Sequence, residues 1–147
     1  MPSDISEHDA GCIFCRIISG EIPCHKVFEN QYILCFLDIG PVVFGHTLVI
    51  PKQHIRNIFD MPPDINARLV EELPALARAV CAAAAAPACH ILLNNGAEAM
   101  QSVSHAHYHI IPRKNGDGFF VPWNPGKLRP DDAQNLISRI NAALCRP

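Results

Sequence analysis

The chain has 147 residues, 49% of them hydrophobic and 18% charged, and a formal net charge of -2. This length fits one domain with a buried core, the small charge gives no electrostatic case for a nucleic-acid or membrane partner, and no apolar run approaches the roughly 20 residues that span a bilayer. Residues 1–10 are polar and acidic, unlike a signal peptide, so we predict a disordered tail there, followed by a single domain over residues 11–147.

The first half of the domain predicts three β-strands. Lys26–Glu29 and Ile33–Leu37 are rich in β-branched and aromatic residues and are separated by a short polar turn, which is typical of a hairpin. His46–Ile50 predicts a third strand, which Pro51 ends.

A long amphipathic helix follows. Asp64 is a candidate N-cap, and apolar residues then recur at steps of three and four along one stripe, which is Ile65, Leu69, Leu73, Leu76 and Val80. Pro74 lies inside this pattern and predicts a kink, while Pro87 ends the helix-favouring run Cys81–Ala86.

Two more strands and a helix complete the domain. His90–Asn94 and His105–Ile111 predict strands, and Asp132–Leu144 predicts an amphipathic helix whose inward stripe is Ala133, Leu136, Ile137, Ile140 and Leu144. Strands in consecutive runs, interrupted by one long helix, predict an α+β fold. It is built on an antiparallel five-stranded sheet with one long helix and a C-terminal helix.

The seven cysteines are odd in number and mostly isolated along the chain. Secreted domains of this size pair their cysteines in a disulfide framework, so this distribution favours a reducing compartment. We expect the protein in the cytoplasm, and the nucleus or another organelle is also compatible with the sequence.

Three histidines, His105, His107 and His109, occupy every second position of one predicted strand. Because strand side chains alternate between faces, their rings lie on one face, and the intervening residues form an apolar face opposite. Such a row could hold a metal ion, supply a histidine nucleophile for phosphorus, or form a hydrogen-bonded cluster without chemistry. The last is the weakest reading, since adjacent imidazoles repel one another when charged.

Three segments resemble the characteristic blocks of the histidine triad (HIT) family. The run from Gln101 to Arg113 resembles the signature in which three histidines alternate with apolar residues. Gly45–His54, preceded by Asp38, resembles the first family block, and Cys12–Pro23 resembles the N-terminal segment. The blocks stand in family order, so the resemblance implies the HIT fold. Within the family, the chain is similar to the HINT-like, bacterial-like branch of hydrolases.

The resemblance also implies a role for each residue of the row. His107, in the middle, is expected to attack phosphorus and form a nucleotidyl-histidine intermediate, which water then hydrolyses. His105 and His109 flank it on either side. His109 and His46 are expected to support the phosphate and the protonation state of the nucleophile, and Ser102 to hydrogen-bond the leaving group.

A purine nucleotide pocket is implied in the same way. Asp38 is expected to accept hydrogen bonds from the ribose hydroxyls, and Asn94 and Gln101 to contribute on the phosphate side. The apolar slot for the base is assigned to Phe14, Ile17, Ile22, Phe36 and Ile39. For any one of these five alone, packing in the core is an equally good explanation.

The resemblance also bears on two further positions, Met100 and Trp123. Met100 stands where many relatives have glycine, next to the phosphates, which puts substrate preference in doubt rather than the chemistry. Trp123 resembles a C-terminal tryptophan that reaches a partner subunit's active site in some branches of the family, and ordinary packing explains it equally well.

A second site is suggested by Cys12 and Cys15, whose spacing suits a metal but which lack a second cysteine pair. The resemblance to bacterial-like HIT proteins implies that His54 and His105 complete a set of four ligands for a structural Zn²⁺. The alternative is two reduced, buried thiols. No cofactor is expected to take part in the chemistry itself.

The sequence therefore favours a hydrolase that cleaves purine nucleoside 5′-phosphoramidates and adenylates to the nucleoside monophosphate, an activity similar to that of an adenosine 5′-monophosphoramidase. The alternatives are dinucleoside polyphosphate hydrolysis, a nucleotide-binding interaction protein with weak catalysis, and a metallohydrolase that uses the histidine row. The resemblance also implies a homodimer and an AMP-type ligand.

Overall fold

A computed structural model describes residues 8–119 and 123–144 of the chain. Its helices are α1 (Ile13–Ile18), α2 (Pro63–Ala83) and α3 (Pro130–Leu144), and its strands are β1 (Lys26–Glu29), β2 (Ile33–Leu37), β3 (Thr47–Pro51), β4 (Ala88–Leu93) and β5 (Tyr108–Arg113). The strands form one sheet in the order β1-β2-β3-β5-β4, and every neighbouring pair is antiparallel. The predicted α+β class and the five-stranded antiparallel sheet are confirmed.

The hairpin β1–β2 forms where the sequence predicts it. Asn30 closes the turn, because its side-chain oxygen accepts hydrogen bonds from the backbone N–H groups of Tyr32 and Ile33 at 2.8 and 2.9 Å. This arrangement gives the turn's backbone donors a partner and sets the register in which β2 leaves. β2 then pairs with β3 along its whole length.

The two faces of the sheet pack against different helices. On one face, apolar residues of β2, β3 and β5 pack against the buried stripe of α2, which is Leu69, Leu73, Leu76 and Val80. On the other face, Leu34, Phe36, Leu48 and Ile50 pack against α1. The predicted stripe is confirmed except for Ile65, which is only partly buried.

The start of α2 differs from the prediction. Pro63 lies in the first turn and Pro62 at the N-cap position, and no side chain caps the helix, so the predicted capping by Asp64 is wrong. Proline suits this place because its fixed φ matches a helix and because an N–H in the first turn has no helical acceptor. Pro74 remains inside the 21-residue helix, on its exposed side.

Other boundaries also differ from the sequence prediction. β5 begins at Tyr108, so the first two histidines of the row precede the strand, and β4 begins at Ala88. The six-residue helix α1 has no counterpart among the predicted elements, since it is too short to show a periodic pattern. The apolar stripe of α3 is not inward, because no described residue of that helix is buried.

The predicted tail falls mostly on residues 1–7, which lie outside the described residues. The division into a tail and one domain stays a prediction. Among the helices of the described ranges, none is long and apolar enough to cross a lipid bilayer.

Two neighbouring residues of α2 separate core packing from helix propensity. Leu69 is 0% exposed in the cluster against the sheet, whereas Val70 is 44% exposed. We expect Leu69→Ala to lower the free energy of unfolding by about 2–5 kcal/mol, and Val70→Ala by less than about 1 kcal/mol. Urea unfolding followed by circular dichroism measures both losses, and equal losses would contradict the packing of α2 described above.

Candidate active site

The turn into β3 and the segment leading into β5 bring the site histidines together. His46 immediately precedes β3, and β3 pairs with β5, which carries His109. Gly45 makes the turn possible, since its φ is +92° and a Cβ atom there would lie 3.0 Å from the side chains of Ala84 and Pro112. A larger residue would push this turn, and His46 with it, away from β5.

A cavity of about 240 Å³ opens on the α1 face beside these histidines. Three of the predicted catalytic residues, His107, His109 and Ser102, line one part of it. The rest is mostly apolar and includes six residues predicted for the nucleotide, namely Phe14, Ile17, Ile22, Phe36, Asp38 and Ile39. The structure thus brings together residues that are distant in the sequence.

The surroundings of His107 fix which of its ring nitrogens is free. Its Nδ1–H donates a hydrogen bond to the backbone carbonyl of His105 at 2.6 Å, so Nε2 carries the lone pair. The ring of Phe14 stands nearly perpendicular to it, with centroids 5.1 Å apart. His107 is buried, and this burial lowers its pKa. It is therefore a neutral imidazole with an available nucleophilic nitrogen at neutral pH.

His46 and His109 form a chain of hydrogen bonds that leaves one N–H group without a partner. The backbone N–H of Val42 donates to His46 Nδ1 at 3.2 Å, so His46 donates its own Nε2–H to His109 Nδ1 at 2.8 Å. The Asp38 carboxylate is 3.6 Å from His46 Nδ1, too far for a hydrogen bond. His109 is then protonated on Nε2, which is buried and has no partner in the described part of the chain. That N–H can donate to an anion in the cavity.

The imidazoles of the cavity are held neutral. Burial lowers the pKa of His109 to about 4, and the nearby His107 and His46 rings add to the shift. Burial also lowers the pKa of His46, although Asp38 opposes the shift. A second proton in this cluster would add charge repulsion to the cost of desolvation. Tautomers, rather than charges, therefore decide which nitrogen donates and which accepts.

Gln101 braces the loop that leads to Ser102. Its side-chain oxygen accepts a hydrogen bond from the backbone N–H of Gly96 at 2.9 Å, and its side-chain nitrogen donates to the Arg56 carbonyl at 2.6 Å. The same nitrogen also reaches the carbonyl of residue 103 at 2.9 Å. The amide of Gln101 is thus engaged with the protein itself, and Gln101 does not line the cavity.

Met100 has a left-handed backbone conformation, with a φ of +66°, and its side chain is 81% exposed. A residue with a Cβ atom adopts this conformation at a cost of roughly 1–2 kcal/mol, whereas glycine adopts it freely. This explains why a glycine is expected here from the family resemblance. The chain carries a strained, exposed apolar side chain two residues before Ser102.

Two residues predicted for the substrate, Asn94 and Gln101, do not line the cavity, and six residues that line it were not expected. Asn94 directly follows β4. Trp123 is 85% exposed. The six unexpected residues are Ile13, Pro23, Cys24, Leu37, Leu48 and Val103. Nothing in the sequence marks these six as residues of a cavity.

His105 belongs to a second cluster, together with Cys12, Cys15 and His54, whose ligand atoms all lie within 4.8 Å of one another. His105 Nδ1 is 3.5 and 3.7 Å from the two sulfur atoms, and His54 Nδ1 is 3.3 Å from Cys15 Sγ. A tetrahedral zinc ion with bonds of about 2.3 Å to sulfur and about 2.0 Å to nitrogen holds such atoms roughly 3.6 Å apart. The donor atoms therefore have the spacing of a four-ligand zinc site.

The hydrogen bonds around this Cys/His cluster leave ring nitrogen lone pairs free to bind a metal ion. His105 donates its Nε2–H to the Pro51 carbonyl at 2.9 Å, so its Nδ1 is unprotonated. His54 Nε2 faces the Asp9 carboxylate at 3.9 Å, which favours a proton on that nitrogen and leaves Nδ1 for a metal. Burial lowers the pKa of His105 to about 4, so the ring is neutral at physiological pH. The residues fit a zinc ion.

The three histidines of the row do not converge on one metal position. The ring of His105 faces the cysteines, and Nδ1–H of His107 donates a hydrogen bond to a backbone carbonyl. A further group with metal-ligand spacing is Asp38, His46 and His109, but the two imidazoles in it are hydrogen-bonded to each other. The geometry does not favour a metallohydrolase built on the row.

A family model described as the HIT domain matches residues 19–116. The "Protein hit" of Bacillus subtilis is 45% identical, over 90% of this chain and 94% of that protein. The adenosine 5′-monophosphoramidase HNT1 of Saccharomyces cerevisiae is 40% identical, over 92% of this chain and 84% of that protein. The adenylylsulfatase HINT3 of Arabidopsis thaliana is 38% identical, over 91% and 70%.

Solved structures of histidine triad family proteins are also similar to this chain. A crystal structure of a HIT family member from Bacillus subtilis is 43% identical and superposes with a TM-score of 0.86, covering 93% of this chain and 99% of that one. A Zn-bound histidine triad family protein from Mycobacterium smegmatis is 33% identical, with a TM-score of 0.64 over 90% of this chain and 97% of that one. The likeness extends over nearly the whole of each chain.

The buried His109 makes a testable contribution to the pH dependence of stability. Its pKa is about 4 in the folded chain and about 6.5 when unfolded. Between these values the unfolded chain binds a proton that the folded chain does not, so the free energy of unfolding falls as the pH is lowered from 6.5 to 4. We expect His109→Asn to make this decline shallower by up to about 1.4 kcal/mol per pH unit. Urea unfolding at several pH values compares the two slopes, and identical slopes would contradict a neutral His109.

Proposed function

The chain belongs to the HIT family, and from this we propose that it is a nucleotide hydrolase that converts purine nucleoside 5′-phosphoramidates and adenylates to the nucleoside monophosphate. The observation that carries the proposal is the free Nε2 of His107, on a neutral ring that lines the cavity and is fixed by a 2.6 Å hydrogen bond. The likeness to the monophosphoramidase HNT1 supports the choice of substrate.

In the proposed reaction, His107 Nε2 attacks the phosphorus atom of the bound nucleotide. A phosphorus–nitrogen bond to the imidazole forms while the bond to the leaving amine breaks, and Ser102 passes a solvent proton to the departing nitrogen. The ring then carries a positive charge, which the His105 carbonyl stabilises by accepting the Nδ1–H. The unpaired Nε2–H of His109 donates to a phosphate oxygen, where negative charge is concentrated.

Water completes the cycle by attacking the same phosphorus atom. The phosphorus–nitrogen bond to His107 breaks, its electron pair returns to Nε2, and the nucleoside monophosphate leaves as the water loses a proton to solvent. Dividing the displacement into two steps helps because an amine is a poor leaving group. The neutral ring of His107 needs no deprotonation before it attacks, so no separate general base is required for the first step.

The remainder of the cavity is proposed to hold the nucleoside. Asp38 Oδ1 accepts a hydrogen bond from the backbone N–H of Gly40 at 2.8 Å, which orients the carboxylate and leaves Oδ2 for the ribose hydroxyls. Ile39 lines the cavity and is 86% exposed, so an aromatic base lying on it would remove apolar surface from water. Phe36 and Ile22 would provide other parts of the apolar slot.

A second candidate substrate is an adenylyl sulfate, because the relative HINT3 is an adenylylsulfatase. The same nucleophile would then displace sulfate, which leaves as an anion and needs no proton from Ser102. Dinucleoside polyphosphate hydrolysis and nucleotide binding without turnover remain alternatives. Turnover assays of each of these nucleotides, with the same set of variants, distinguish the alternative functions.

We also propose that the Cys/His cluster binds zinc. The donor spacing supports it, as does the Zn-bound relative from Mycobacterium smegmatis. Cys12, Cys15, His54 and His105 would hold the ion, with both thiols as thiolates, and the ion would act as a structural cross-link between them. These residues come from the start of α1, the segment after β3 and the histidine row, so their ligation would add to the stability of the fold.

The homodimer and the cytoplasmic location stay predictions. The apolar stripe of α3 is one surface that a second copy could cover, since Leu136, Ile137, Ile140 and Leu144 are all exposed in the single chain.

The nucleophile can be tested by removing it. We expect His107→Ala to lower kcat for adenosine 5′-phosphoramidate by at least about 10³-fold, since the two-step route needs its ring, while AMP still binds. The matched control is His90→Ala on β4, outside the cavity lining, which should retain the wild-type rate. Chromatography of AMP release measures both rates. A His107→Ala enzyme with wild-type turnover would overturn the proposal.

The zinc site can be tested by elemental analysis. Purified wild-type protein is expected to contain about one zinc ion per chain, and Cys12→Ser well under half of that, because one of four ligands is lost. Cys81→Ser on α2 is the control and should keep its zinc. Equal zinc contents in Cys12→Ser and wild type would show that the ion is bound elsewhere.

A further inference from the structure

His105 connects the Cys/His cluster to the proposed nucleophile, His107, through a single peptide unit. Its ring is a member of the cluster, while its backbone carbonyl accepts the Nδ1–H of His107 at 2.6 Å. The N–H of the same peptide unit belongs to Ala106 and donates to the Ile55 carbonyl at 2.6 Å. Ile55 directly follows His54, the other histidine of the cluster. The carbonyl of this peptide unit therefore belongs to one histidine of the cluster, and its N–H is held by the residue next to the other.

We propose that metal binding at the cluster positions the nucleophile, and that His105 is the positioning residue through which it acts. The proposal rests on the function proposed above for His107 and on the proposed zinc site. A cation held by both His54 and His105 would fix the separation of the two segments that grip the His105–Ala106 peptide unit. It would thereby fix the direction in which the His105 carbonyl points.

The direction of that carbonyl matters because it selects the tautomer of His107. While the carbonyl accepts a hydrogen bond from Nδ1–H, the lone pair lies on Nε2, in the cavity. If the carbonyl turns away, nothing keeps the proton on Nδ1, and the tautomer with a proton on Nε2 becomes accessible. That tautomer has no lone pair at the attacking position, so it is inactive as a nucleophile.

The protein's own contacts hold the two sides of the His105 ring unequally. Nδ1 faces the two cysteine sulfur atoms at 3.5 and 3.7 Å, and thiols are weak hydrogen-bonding groups. The hydrogen bond from Nε2–H to Pro51 at 2.9 Å and the ring of Phe14, with centroids 5.8 Å apart, are the stronger constraints. A metal–nitrogen bond would replace the weak contacts on the Nδ1 side and hold the ring from both sides.

Nitrogen-15 NMR of the histidine rings tests the proposal without any substrate. In the full-length, zinc-loaded chain, His107 is expected to show one tautomer with the proton on Nδ1. In the metal-free chain, its ring shifts should move towards an average of both tautomers, and added zinc should restore them. The ring of His90 on β4 serves as the internal control and should not change. An unchanged His107 tautomer in the folded, metal-free chain would overturn the proposal.

Kinetics supply the second readout. Metal removal is expected to lower kcat for adenosine 5′-phosphoramidate by about 10–100-fold, the usual effect of losing a group that orients a reactive ligand, and zinc should restore it. Cys81→Ser should behave as wild type in both forms. If the zinc-loaded chain shows no turnover at all, the proposed function fails, while the His107 spectrum still decides the positioning role. A metal-free chain with full kcat would overturn the positioning role alone.

A metal-free chain that unfolds calls for a metal exchange instead. Cadmium is larger than zinc and would lengthen every bond in the cluster while keeping the chain folded. We then expect the His107 ring signals to shift between the two metal forms while those of His90 stay in place. Identical His107 signals in the zinc and cadmium forms would overturn the proposal.

Discussion

Three histidines of the site are buried as neutral imidazoles, and each of their rings needs a hydrogen-bond partner. His46, His105 and His107 are at most 4% exposed, and a ring nitrogen left without a partner in such surroundings costs about 1–3 kcal/mol. The backbone meets this demand, because Val42 donates to His46, Pro51 accepts from His105, and His105 itself accepts from His107. These partners lie before β3, at its end and before β5. The pairing of β3 with β5 therefore assembles the site as well as the sheet.

The polar atoms that this network leaves free suit the chemistry proposed at phosphorus. The rings of His107 and His109 lie with centroids 4.8 Å apart, one with a free lone pair and the other with an unpaired N–H. An anion bound in the cavity would give the buried Nε2–H of His109 an acceptor. Because the donor is fixed before the anion arrives, little reorganisation accompanies binding.

Regular patterns in the sequence were sufficient for most of the fold. The apolar runs of β2 and β3 and the stripe on α2 predict the central strands and the helix that packs on them, and family resemblance brings Cys12 and His105 into one cluster. The chain of hydrogen bonds through His46 and His109 could not be predicted in this way, because it joins residues 63 positions apart and depends on tautomers. The φ of Met100 and the short α1 have no periodic signal. The exposure of α3 also escaped prediction, since an amphipathic stripe indicates that a helix packs but not against what.

In the proposed function, the metal ion and the imidazoles have separate roles. A set of two thiolates and two imidazoles fills all four positions of a tetrahedral zinc ion, so such a site has no open position at which to bind water or a phosphate oxygen. The proposed hydrolysis would then depend on the other histidines of the row. His105 can serve both clusters because a side chain and the carbonyl of the same residue point in different directions from the backbone. Its ring faces the cysteines while its carbonyl reaches the ring two residues later. The spacing of the row would thus make the proposed metal ligand and the anchor of the proposed nucleophile one residue.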